Sequence, residues 1–355
     1  MTTTTVADFN AKTEASTVAA AFPTSIKDRT ILITGVNKLG LGYATAQALA
    51  VHSPRIVILA GRSQAKLQEC LDDLGPKHPG GKFRPLILDL SSQRSVREAA
   101  AEVLRWEDVP TIDIIINNAG VMNIPERKLS EEGIEMHLAT NYVGHFLFTN
   151  LIMPKILSPT KNTHTGASRI INVSSMGTMV SPLRVSDVNW EKPTSQLPEN
   201  ERPSLVMMKS AGLAADEEMS YLPMAAYGQS KTANVLYSVA LNERLYEKYG
   251  VLSIAIHPGE IRTELHRSTD MEWLAKTAEW RAKMGVEWKT REQGASTALV
   301  AALDPKLGKP TSEGYGQFLS DCQISKIAPA YALDRAIADK LWEMTEGWVK
   351  EKFSW

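Results

Sequence analysis

Short runs of Ile, Val and Leu alternate with longer segments of helical periodicity along most of this 355-residue chain. Runs this short and this continuously apolar are typical of parallel strands that are buried on both faces. Because strands that alternate with helices build a doubly wound sheet, the sequence predicts an α/β fold with a mostly parallel sheet and helices on both faces. The predicted strands are TILITG (30–35), RIVILA (55–60), FRPLILDL (83–90), IDIIIN (112–117), RIINVSS (169–175) and VLSIAIH (251–257).

The remaining segments define the domain organisation. Residues 1–27 are rich in Thr and Ala and show little periodicity, which predicts a mobile arm or a peripheral helix outside the core. A single domain is predicted over 28–355. Two segments interrupt its rhythm, about 176–223 and about 260–290, and both leave strands at the carboxyl edge of the sheet, where they can act as lids over a ligand. The predicted helices are 41–52, 63–74, 92–107, 131–157, 227–249 and 332–350.

Composition argues against several classes of function. The 39 basic and 40 acidic residues nearly cancel and form no long run of one sign, so a nucleic acid partner is not expected. Cys70 and Cys322 lie far apart and fit a reducing compartment, with the cytoplasm as the default. The seven histidines show no metal-binding spacing, so no metal is expected. Neither a signal peptide nor a membrane span is predicted, since the chain lacks a sufficiently long apolar stretch.

A glycine-rich turn, TGVNKLGLG (34–42), directly follows the first predicted strand. Its glycines permit a tight turn and let backbone N–H groups approach a pyrophosphate at the positive end of the next helix. A structural βα turn or a methyltransferase-type nucleotide loop can look the same. Its place in the first βα unit favours a dinucleotide site and a Rossmann-type fold. The candidate cofactor-binding residues here are Gly35, Asn37, Lys38, Gly40, Leu41 and Gly42.

The end of the second predicted strand indicates which dinucleotide binds. An acid at this point would bind the 2′-hydroxyl of NAD, but Arg62 stands there and can pair with the 2′-phosphate of NADP. Lys38 and Lys66 can add positive charge around the same phosphate. A solvated surface arginine is the alternative interpretation of Arg62. NADP is therefore the predicted cofactor.

Asp89 and Leu90 end the third predicted strand and are further candidates for the cofactor site. The Asp89 carboxylate can accept a hydrogen bond from the adenine amino group. It can equally cap the helix that starts after Ser91 or Ser92. The residues alone leave both interpretations of Asp89 open.

The segment YGQSK, from Tyr227 to Lys231, opens a predicted helix, and the i, i+4 spacing puts the phenol and the ammonium on one face. A free tyrosine has a pKa of about 10, but a nearby ammonium and an oxidised nicotinamide both stabilise the phenolate. Tyr227 can then exchange a proton with a substrate oxygen. Taken alone, the pair also fits an ordinary helix with a packed tyrosine and an exposed lysine.

Polar residues near this pair in the predicted fold strengthen the chemical interpretation. Ser174 and Ser175 end the fifth predicted strand, and Asn141 lies in the helix before it. A serine hydroxyl both donates and accepts hydrogen bonds, so Ser175 is our candidate for orienting a carbonyl for hydride attack. In isolation the serine also fits a turn or cap, and Asn141 fits a locally satisfied helix residue.

Five motifs resemble, in order and strand context, those of short-chain dehydrogenases/reductases. They are NNAG (117–120), NYVGHF (141–146), VSS (173–175), YGQSK (227–231) and HPGEIRT (257–263). The resemblance covers roughly 29–320 and is strongest to the retinol-dehydrogenase-like and fungal secondary-metabolism branches. It implies an NADP(H)-dependent oxidoreductase that interconverts a ketone or aldehyde and an alcohol on a bulky lipophilic substrate.

The resemblance also implies roles for single residues. Tyr227 would donate or accept the proton, and Lys231 would lower the pKa of Tyr227 and hold the nicotinamide ribose. Ser175 would orient the substrate, and Asn141 would support a proton-relay water. His257 belongs to a motif, but we expect it to pack rather than to react. Further cofactor contacts are implied for Asn118, Ala119, Gly120, Pro258, Gly259, Ile261 and Thr263.

Two features depart from the family pattern. The glycine turn is one residue longer than the common spacing, and 52 positions separate Ser175 from Tyr227, far more than in many members. The second departure suggests that the Met and Trp residues of the two lid segments contact the substrate. The alternative is that they pack the segments onto the domain or form an oligomer interface. The family resemblance further suggests a homo-oligomer built through helices 131–157 and 227–249.

Two other functions stay open at the level of sequence. A catalytically idle NADP-binding regulator or scaffold can use the same fold, although the intact Ser175, Tyr227 and Lys231 argue against it. A same-fold enzyme that acts on a C=C bond is the second. A serine hydrolase is disfavoured because GQSKT (228–232) lacks the final glycine of a nucleophile elbow.

Overall fold

The computed structural model describes residues 4–157, 165–265, 285, 287–310 and 318–355, and its centre is an eight-stranded sheet. The strands, including a separate pair formed by β7 and β8, are β1 Thr30–Thr34, β2 Ile56–Gly61, β3 Phe83–Ile87, β4 Ile114–Asn117, β5 Ser168–Val173, β6 Val251–His257, β7 Glu260–Ile261, β8 Trp288–Lys289, β9 Phe318–Ser320 and β10 Gln323–Ile324. The order in the main sheet is β10-β9-β6-β5-β4-β1-β2-β3. From β1 the chain adds β2 and β3 on one side, and from β4 it adds strands on the other side. The switch point between β1 and β4 opens a ligand crevice at the carboxyl edge.

The predicted α/β, Rossmann-type class is confirmed, and all six predicted strands are present and pair in parallel. The sequence does not predict β9, which adds to β6 in parallel, or β10, which runs antiparallel to β9. These strands have three and two residues, so neither produces an apolar run. Their place is set by pairing with β6 rather than by a local pattern.

The helices lie between the strands, as the alternation predicts. They are α1 Ala15–Ala21, α2 Pro23–Ile26, α3 Leu41–Ala50, α4 Gln64–Lys77, α5 Gln93–Arg105, α6 Met136–Leu138, α7 Gly144–Leu151, α8 Met153–Ile156, α9 Leu205–Ser210, α10 Pro223–Tyr249, α11 Arg291–Leu303 and α12 Arg335–Val349. The helix predicted over 131–157 begins only at Met136, contains a π-helical turn, Ala139–Val143, between α6 and α7, and is interrupted at Ile152 before α8. The segment 176–223 holds α9 and short 3₁₀ turns.

Alternate residues of the central strands enter two different cores. Leu32 packs in the core that contains side chains of α5, α7, α10 and α12. Ile31 and Ile33 pack in the core on the other face, with side chains of α1, α3, α4 and α11. Because successive side chains of a strand point to opposite faces, burial of both faces explains why β1 is apolar without alternation.

Residues 4–27 are not an arm outside the core, contrary to the prediction for this segment. In the described part of this segment, Val18, Phe22 and Ile26 are buried in the core that also contains α3 and α11. The Thr5 N–H donates to the Asp304 carboxylate at 2.6 Å, which ties the segment to the end of α11. The seven residues of α1 include four alanines, so its buried stripe is made largely of small side chains and gives little apolar periodicity.

The two helical segments expected to join copies of the chain have little free surface. Every residue from Gly144 to Asn150 and from Ala225 to Asn242 is buried within one chain. The cause is α12, which packs on α10. Its Trp342 ring lies 4.8 Å from the Phe146 ring and 6.1 Å from the Tyr237 ring between centroids. α12 therefore covers part of the faces that a second copy was expected to contact.

The second predicted lid, about 260–290, lies mostly outside the described residues, because 266–284 and 286 are among those not described. Its two ends form the β7–β8 pair, in which Glu260 is opposite Trp288. Within the described ranges, no helix is both long enough and apolar enough to cross a bilayer.

Candidate active site

A cavity of about 640 Å³ opens at the carboxyl edge of the sheet, lined by the segments that follow β1 to β6. Its volume lies in the range typical of cofactor and small-molecule sites. Most predicted site residues meet there, whereas Lys38, Gly42 and Asn141 do not line it. The predicted residues on its wall are Gly35, Asn37, Gly40, Leu41, Arg62, Lys66, Asp89, Leu90, Asn118, Ala119, Gly120, Ser175, Tyr227, Lys231, Pro258, Gly259, Ile261 and Thr263.

The glycine turn after β1 is shaped for close approach of backbone to backbone. Gly35 has a φ of +72°, and a Cβ on it would lie 2.6 Å from the Ala119 Cα, so a side chain there would force the backbone to move. Gly40 is the N-cap of α3, whose first N–H groups are free to meet an anion. Gly42 lies behind the wall, where a Cβ would come within 3.0 Å of the Asn118 Nδ2. The turn can therefore hold a phosphate against the start of α3.

The three predicted basic residues differ in whether they reach the cavity. Arg62 lines it, and no carboxylate within the described ranges forms an ion pair with Arg62. Lys66 also lines it, with its Nζ 2.7 Å from a Glu264 carboxylate oxygen. Lys38 instead lies 3.2 Å from an Asp73 carboxylate oxygen and does not reach the cavity. Because its ammonium pairs with the Asp73 carboxylate on α4, the expected contact of Lys38 with the cofactor stays a prediction.

Asp89 lies on the cavity wall and does not cap a helix. Its Oδ1 accepts hydrogen bonds from the N–H and the hydroxyl of Ser91, at 3.0 and 2.6 Å. The N-cap of α5 is Ser92, whose hydroxyl accepts from the Ser95 N–H. The capping interpretation of Asp89 is therefore wrong, and the carboxylate is held beside Leu90 at the edge of the cavity.

The turn after β4 is tied to the end of β1. The N–H groups of Asn118 and Ala119 both donate to the Thr34 hydroxyl oxygen at 3.0 Å, and the Asn118 amide donates to the Thr34 carbonyl at 2.8 Å. Gly120 follows, and a Cβ on it would lie 3.2 Å from the Asn141 Oδ1. These contacts keep the two turns at a fixed distance on either side of the cavity.

Ser175 and Tyr227 meet at the other end of the cavity. Ser175 follows β5, and Tyr227 lies in the first turns of α10. Burial raises the pKa of Tyr227, and a hydrogen bond from Ser175 opposes this rise without overcoming it. Lys231 lies one turn further along α10, with its Nζ 5.7 Å from the Tyr227 ring centroid and 2.8 Å from the Val173 carbonyl oxygen to which it donates. Burial lowers the pKa of Lys231 to about 7.

Burial is the largest effect on the pKa of both members of the pair. The expectation that Lys231 lowers the pKa of Tyr227 in the cofactor-bound site stays a prediction. Burial disfavours the charged form of each, so it weakens the positive charge on Lys231 as well as the negative charge on Tyr227. Tyr227 therefore carries its proton at neutral pH. This is the form that can protonate a carbonyl oxygen.

Asn141 lies in the π-helical turn between α6 and α7 and braces the site from behind. Its Oδ1 accepts from the Val121 N–H at 2.8 Å. Its Nδ2 donates to the Val121 carbonyl at 3.0 Å and to the Ser230 hydroxyl at 2.8 Å. Both polar atoms of the side chain are thus engaged with the protein, so the structure gives Asn141 a positioning role between the turn after β4 and α10.

The segment after β6 closes the wall near Tyr227. Gly259 has a φ of +97°, and a Cβ there would lie 2.6 Å from the Lys289 Cδ. Pro258, Ile261 and Thr263 line the cavity as predicted. His257 is buried and accepts the Met176 N–H at 3.3 Å, and burial lowers its pKa to about 4. These contacts agree with the expected packing role of His257.

Sequence analysis misses a buried acid and histidine beside Tyr227. Glu135 and His137 are completely buried, with the His137 Nδ1 2.7 Å from the Glu135 Oε1. The His137 ring meets the Tyr227 ring edge-on, with centroids 6.2 Å apart. Its Nε2 accepts the Ile124 N–H at 3.2 Å, so the ring proton is on Nδ1. An acid two positions before a histidine is the sole local signal, and it matches no known metal or catalytic spacing.

The segment 176–223 is organised around a buried arginine rather than around the cavity. The Arg184 guanidinium lies 3.9 Å from the Trp190 ring centroid, binds the Asp187 carboxylate and donates to the Lys192 carbonyl at 2.8 Å. Arg184 and Trp190 are fully buried, and Met208 is buried in the same cluster as Trp190. No described residue of 176–223 lines the cavity. Ser175 and Tyr227, in the motifs on either side of the segment, do line it. The expectation that Met and Trp residues of this segment face the substrate is therefore wrong for those described.

This segment instead reaches the cavity indirectly. The Tyr221 hydroxyl donates to the Ile124 carbonyl at 3.0 Å, and Asn189 accepts the Glu135 N–H at 2.9 Å. Part of the apolar wall comes from the turn after β4, α6 and the segment after β7. These elements contribute Met122, Ile124, Met136 and Leu265. Within the described ranges, no group of three or more His, Cys, Asp or Glu side chains could hold a metal ion.

Comparison with known proteins gives consistent matches. A family model described as short chain dehydrogenase matches residues 29–186. The chain is similar to oxidoreductase fscI of Fusarium equiseti, with 39% identity over 251 residues, covering 71% of this chain and 94% of that protein. It is also similar to retinol dehydrogenase 14 of Mus musculus, with 33% identity over 335 residues, covering 91% of this chain and 86% of that protein. Among solved structures, an uncharacterized protein from Mycobacterium paratuberculosis matches with a TM-score of 0.64 and 27% identity, covering 95% of this chain and 98% of that chain.

Proposed function

The chain belongs to the short-chain dehydrogenase/reductase family of oxidoreductases, and on that premise we propose that it uses NADPH to reduce a ketone or aldehyde to an alcohol. The observation that carries the proposal is that Ser175, Tyr227 and Lys231 line the same cavity as the glycine turn after β1. One end of that cavity can hold a dinucleotide, and the other presents a protonated phenol. When bound, the nicotinamide supplies the hydride.

The walls of the cavity fit a phosphorylated dinucleotide. The glycine turn leads into α3 at its N-cap Gly40, so the first N–H groups of that helix can meet phosphate oxygens. Arg62 has no carboxylate partner within the described ranges, so its planar guanidinium is available to pair with a 2′-phosphate. Asp89 and Leu90 would hold the adenine, and Lys231 would hold the nicotinamide ribose. These features favour NADP over NAD.

The protonated form of Tyr227 fits reduction as the direction of reaction. Burial keeps its proton on the phenol at neutral pH, and reduction of a carbonyl consumes that proton. The Ser175 hydroxyl orients the carbonyl oxygen and then helps to stabilise the phenolate that proton transfer leaves behind. Lys231, with its Nζ 5.7 Å from the ring centroid, can take up a proton as that negative charge develops. Oxidation would begin from the phenolate, which burial disfavours.

The substrate we infer is bulky and lipophilic. The cavity that contains Tyr227 is also lined by Met122, Ile124, Met136 and Leu265, which offer adaptable apolar surface to a large carbonyl compound. The similarity to a retinol dehydrogenase supports the same class, because retinol is a lipophilic alcohol. The segment 176–223 would act on this wall through Tyr221 and Ile124 rather than by touching the substrate.

The test is consumption of NADPH with a panel of aldehydes and ketones graded by size and polarity, with NADH in parallel. We expect turnover to favour large apolar carbonyl compounds and NADPH. Tight NADPH binding with no turnover across the panel would support the idle regulator. Products that retain the carbonyl and lose a C=C bond would support the other alternative. Absence of NADPH binding would overturn the proposal altogether.

A further inference from the structure

His145 connects the two ends of the proposed site from behind the cavity, and the reaction described above does not use it. It lies on α7 and is 1% exposed. Its Nε2 is 2.8 Å from the Thr34 hydroxyl oxygen, and its Nδ1 is 2.9 Å from the Asn141 carbonyl oxygen. Burial lowers the pKa of His145 to about 4, so the ring is neutral at physiological pH. One ring therefore bridges the end of β1 and the π-helical turn.

The hydrogen-bond partners determine which nitrogen carries the proton. The Thr34 hydroxyl oxygen already accepts the N–H groups of Asn118 and Ala119, so it has its own proton left to give. A hydroxyl has one proton and two lone pairs. Thr34 must therefore donate to the Nε2 of His145. The ring proton is then on Nδ1, which donates to the Asn141 carbonyl.

The two bonds reach different parts of the site. The Thr34 bond fixes the hydroxyl that holds the turn Asn118–Ala119 on the cofactor side. The Asn141 bond fixes the π-helical turn, from which the Asn141 side chain holds the Ser230 hydroxyl at 2.8 Å. Ser230 in turn donates to the Tyr227 carbonyl at 2.7 Å. Each nitrogen of the ring thus leads to one end of the cavity.

We propose that His145 is a positioning residue that fixes the cofactor-binding turns relative to the Tyr227 end of the site, with its Nε2 serving cofactor binding and its Nδ1 serving proton transfer. The inference rests on the proposed function. It adds a division of labour between the two ring nitrogens, which can be separated because asparagine and glutamine each reproduce one of them. The Asn amide nitrogen lies near the position of Nδ1, whereas the Gln amide oxygen lies near the position of Nε2.

The experiment compares His145→Asn, His145→Gln and His145→Phe with the wild-type protein. His145→Asn keeps the donor to Asn141 and loses the acceptor for Thr34, so we expect the Kd for NADPH to rise about fivefold with kcat within a factor of two. His145→Gln keeps the acceptor and loses the donor, so we expect kcat to fall about tenfold with the Kd nearly unchanged. His145→Phe should show both losses. NADPH fluorescence titration and initial rates with the best carbonyl substrate measure the two quantities.

A matched control separates positioning from stability. Asn242→Leu removes two buried hydrogen bonds to the Ser253 backbone, of 2.8 and 2.7 Å, near the amino-terminal end of β6. We expect it to lower Tm as the His145 variants do, with Kd and kcat unchanged. If the Asn and Gln variants lose Kd and kcat in the same proportion, or lose only Tm like the control, the proposed division is overturned. Wild-type protein that neither binds NADPH nor reduces a carbonyl would instead overturn the proposed function, irrespective of the variants.

Discussion

The carboxyl edge of the sheet, where we propose that the cofactor binds and which we call the cofactor-binding edge, and the segment 176–223 are built in opposite ways. On the edge, residues such as Gly35 and Arg62 directly follow a strand, so the sheet itself sets their positions. The segment 176–223 is held by side chains that bond across many positions, including Arg184 within it and Tyr221 to Ile124. The difference indicates that cofactor binding should tolerate changes in the segment, whereas the shape of the apolar wall should not.

The largest expected effect tests whether the chemistry is separate from the cofactor-binding edge. Tyr227→Phe removes the hydroxyl but keeps the ring that packs beside His137. We expect kcat to fall about 10³-fold, because a positioned proton donor is lost, while NADPH binding stays the same. Initial rates and fluorescence titration measure both. A variant that keeps a tenth of the wild-type kcat would show that another group protonates the substrate.

The next effect tests the other side of the comparison. Arg184→Leu removes the buried cation that holds Asp187 and the Lys192 carbonyl, and leaves a buried carboxylate without its partner. We expect a loss of about 3 kcal/mol in the free energy of unfolding of the part that includes this segment. We also expect a KM for bulky carbonyl substrates raised about tenfold through Ile124, with the Kd for NADPH unchanged.

Urea unfolding and substrate titrations measure these quantities. Lys192→Ala is the matched control, because its side chain takes no part in the Arg184 bond, which is made by the Lys192 backbone. If Arg184→Leu weakens NADPH binding as strongly as it raises KM, the two regions are coupled and the comparison fails.

The two regions should contribute differently to the loss of stability at low pH, because they differ in their histidines. His145 and His257 are buried near the cofactor-binding edge, and burial lowers the pKa of each to about 4, whereas 176–223 contains no histidine. Because the unfolded chain binds protons on these groups at higher pH than the folded chain, stability is lost as the pH falls from about 6.5 toward 4. Each group contributes a slope of up to about 1.4 kcal/mol per pH unit in that window.

The measurement is the free energy of unfolding of the wild-type protein and of His145→Asn between pH 4 and 7. We expect the variant to be less stable than the wild type at pH 7 but to lose less stability on acidification. Equal slopes in the two proteins would show that the folded-state pKa of His145 is not depressed.

The smallest expected effect concerns the cofactor-binding edge alone, and a comparison of two variants tests it. Arg62→Ala removes a guanidinium that lines the cavity, and we expect the Kd for NADPH to rise about tenfold with the Kd for NADH unchanged. Lys38→Ala is the control, because its ammonium pairs with Asp73 and does not reach the cavity. We expect it to change neither constant by more than about twofold. A larger effect of Lys38→Ala than of Arg62→Ala would reverse the assignment.

The sequence predicts most of the fold and most residues of the cofactor-binding edge, because both depend on residues in or next to a strand. Gly35, Arg62 and Ser175 are found from that adjacency. Adjacency does not give the direction of a long side chain, so it does not predict the ion pair of Lys38 with Asp73, 35 positions away.

The rest depends on partners that are distant in the chain. His145 pairs with Thr34 across 111 positions, and the Glu135–His137 pair gains its meaning only where the fold places it against the Tyr227 ring. The sequence does not predict β9 for the same reason, because its three residues form a strand only by pairing with β6. Helix α1 is missed as core because alanine gives little periodicity.

The packing of α12 on α10 has a consequence for how the protein behaves on dilution. A helix covered by a second molecule is exposed again when the complex dissociates, whereas α10 is covered by its own chain, at an effective concentration that dilution does not change. The helix that carries Tyr227 and Lys231 therefore keeps its packing at any protein concentration. Any dependence of turnover on protein concentration would therefore have to arise at another surface of the protein.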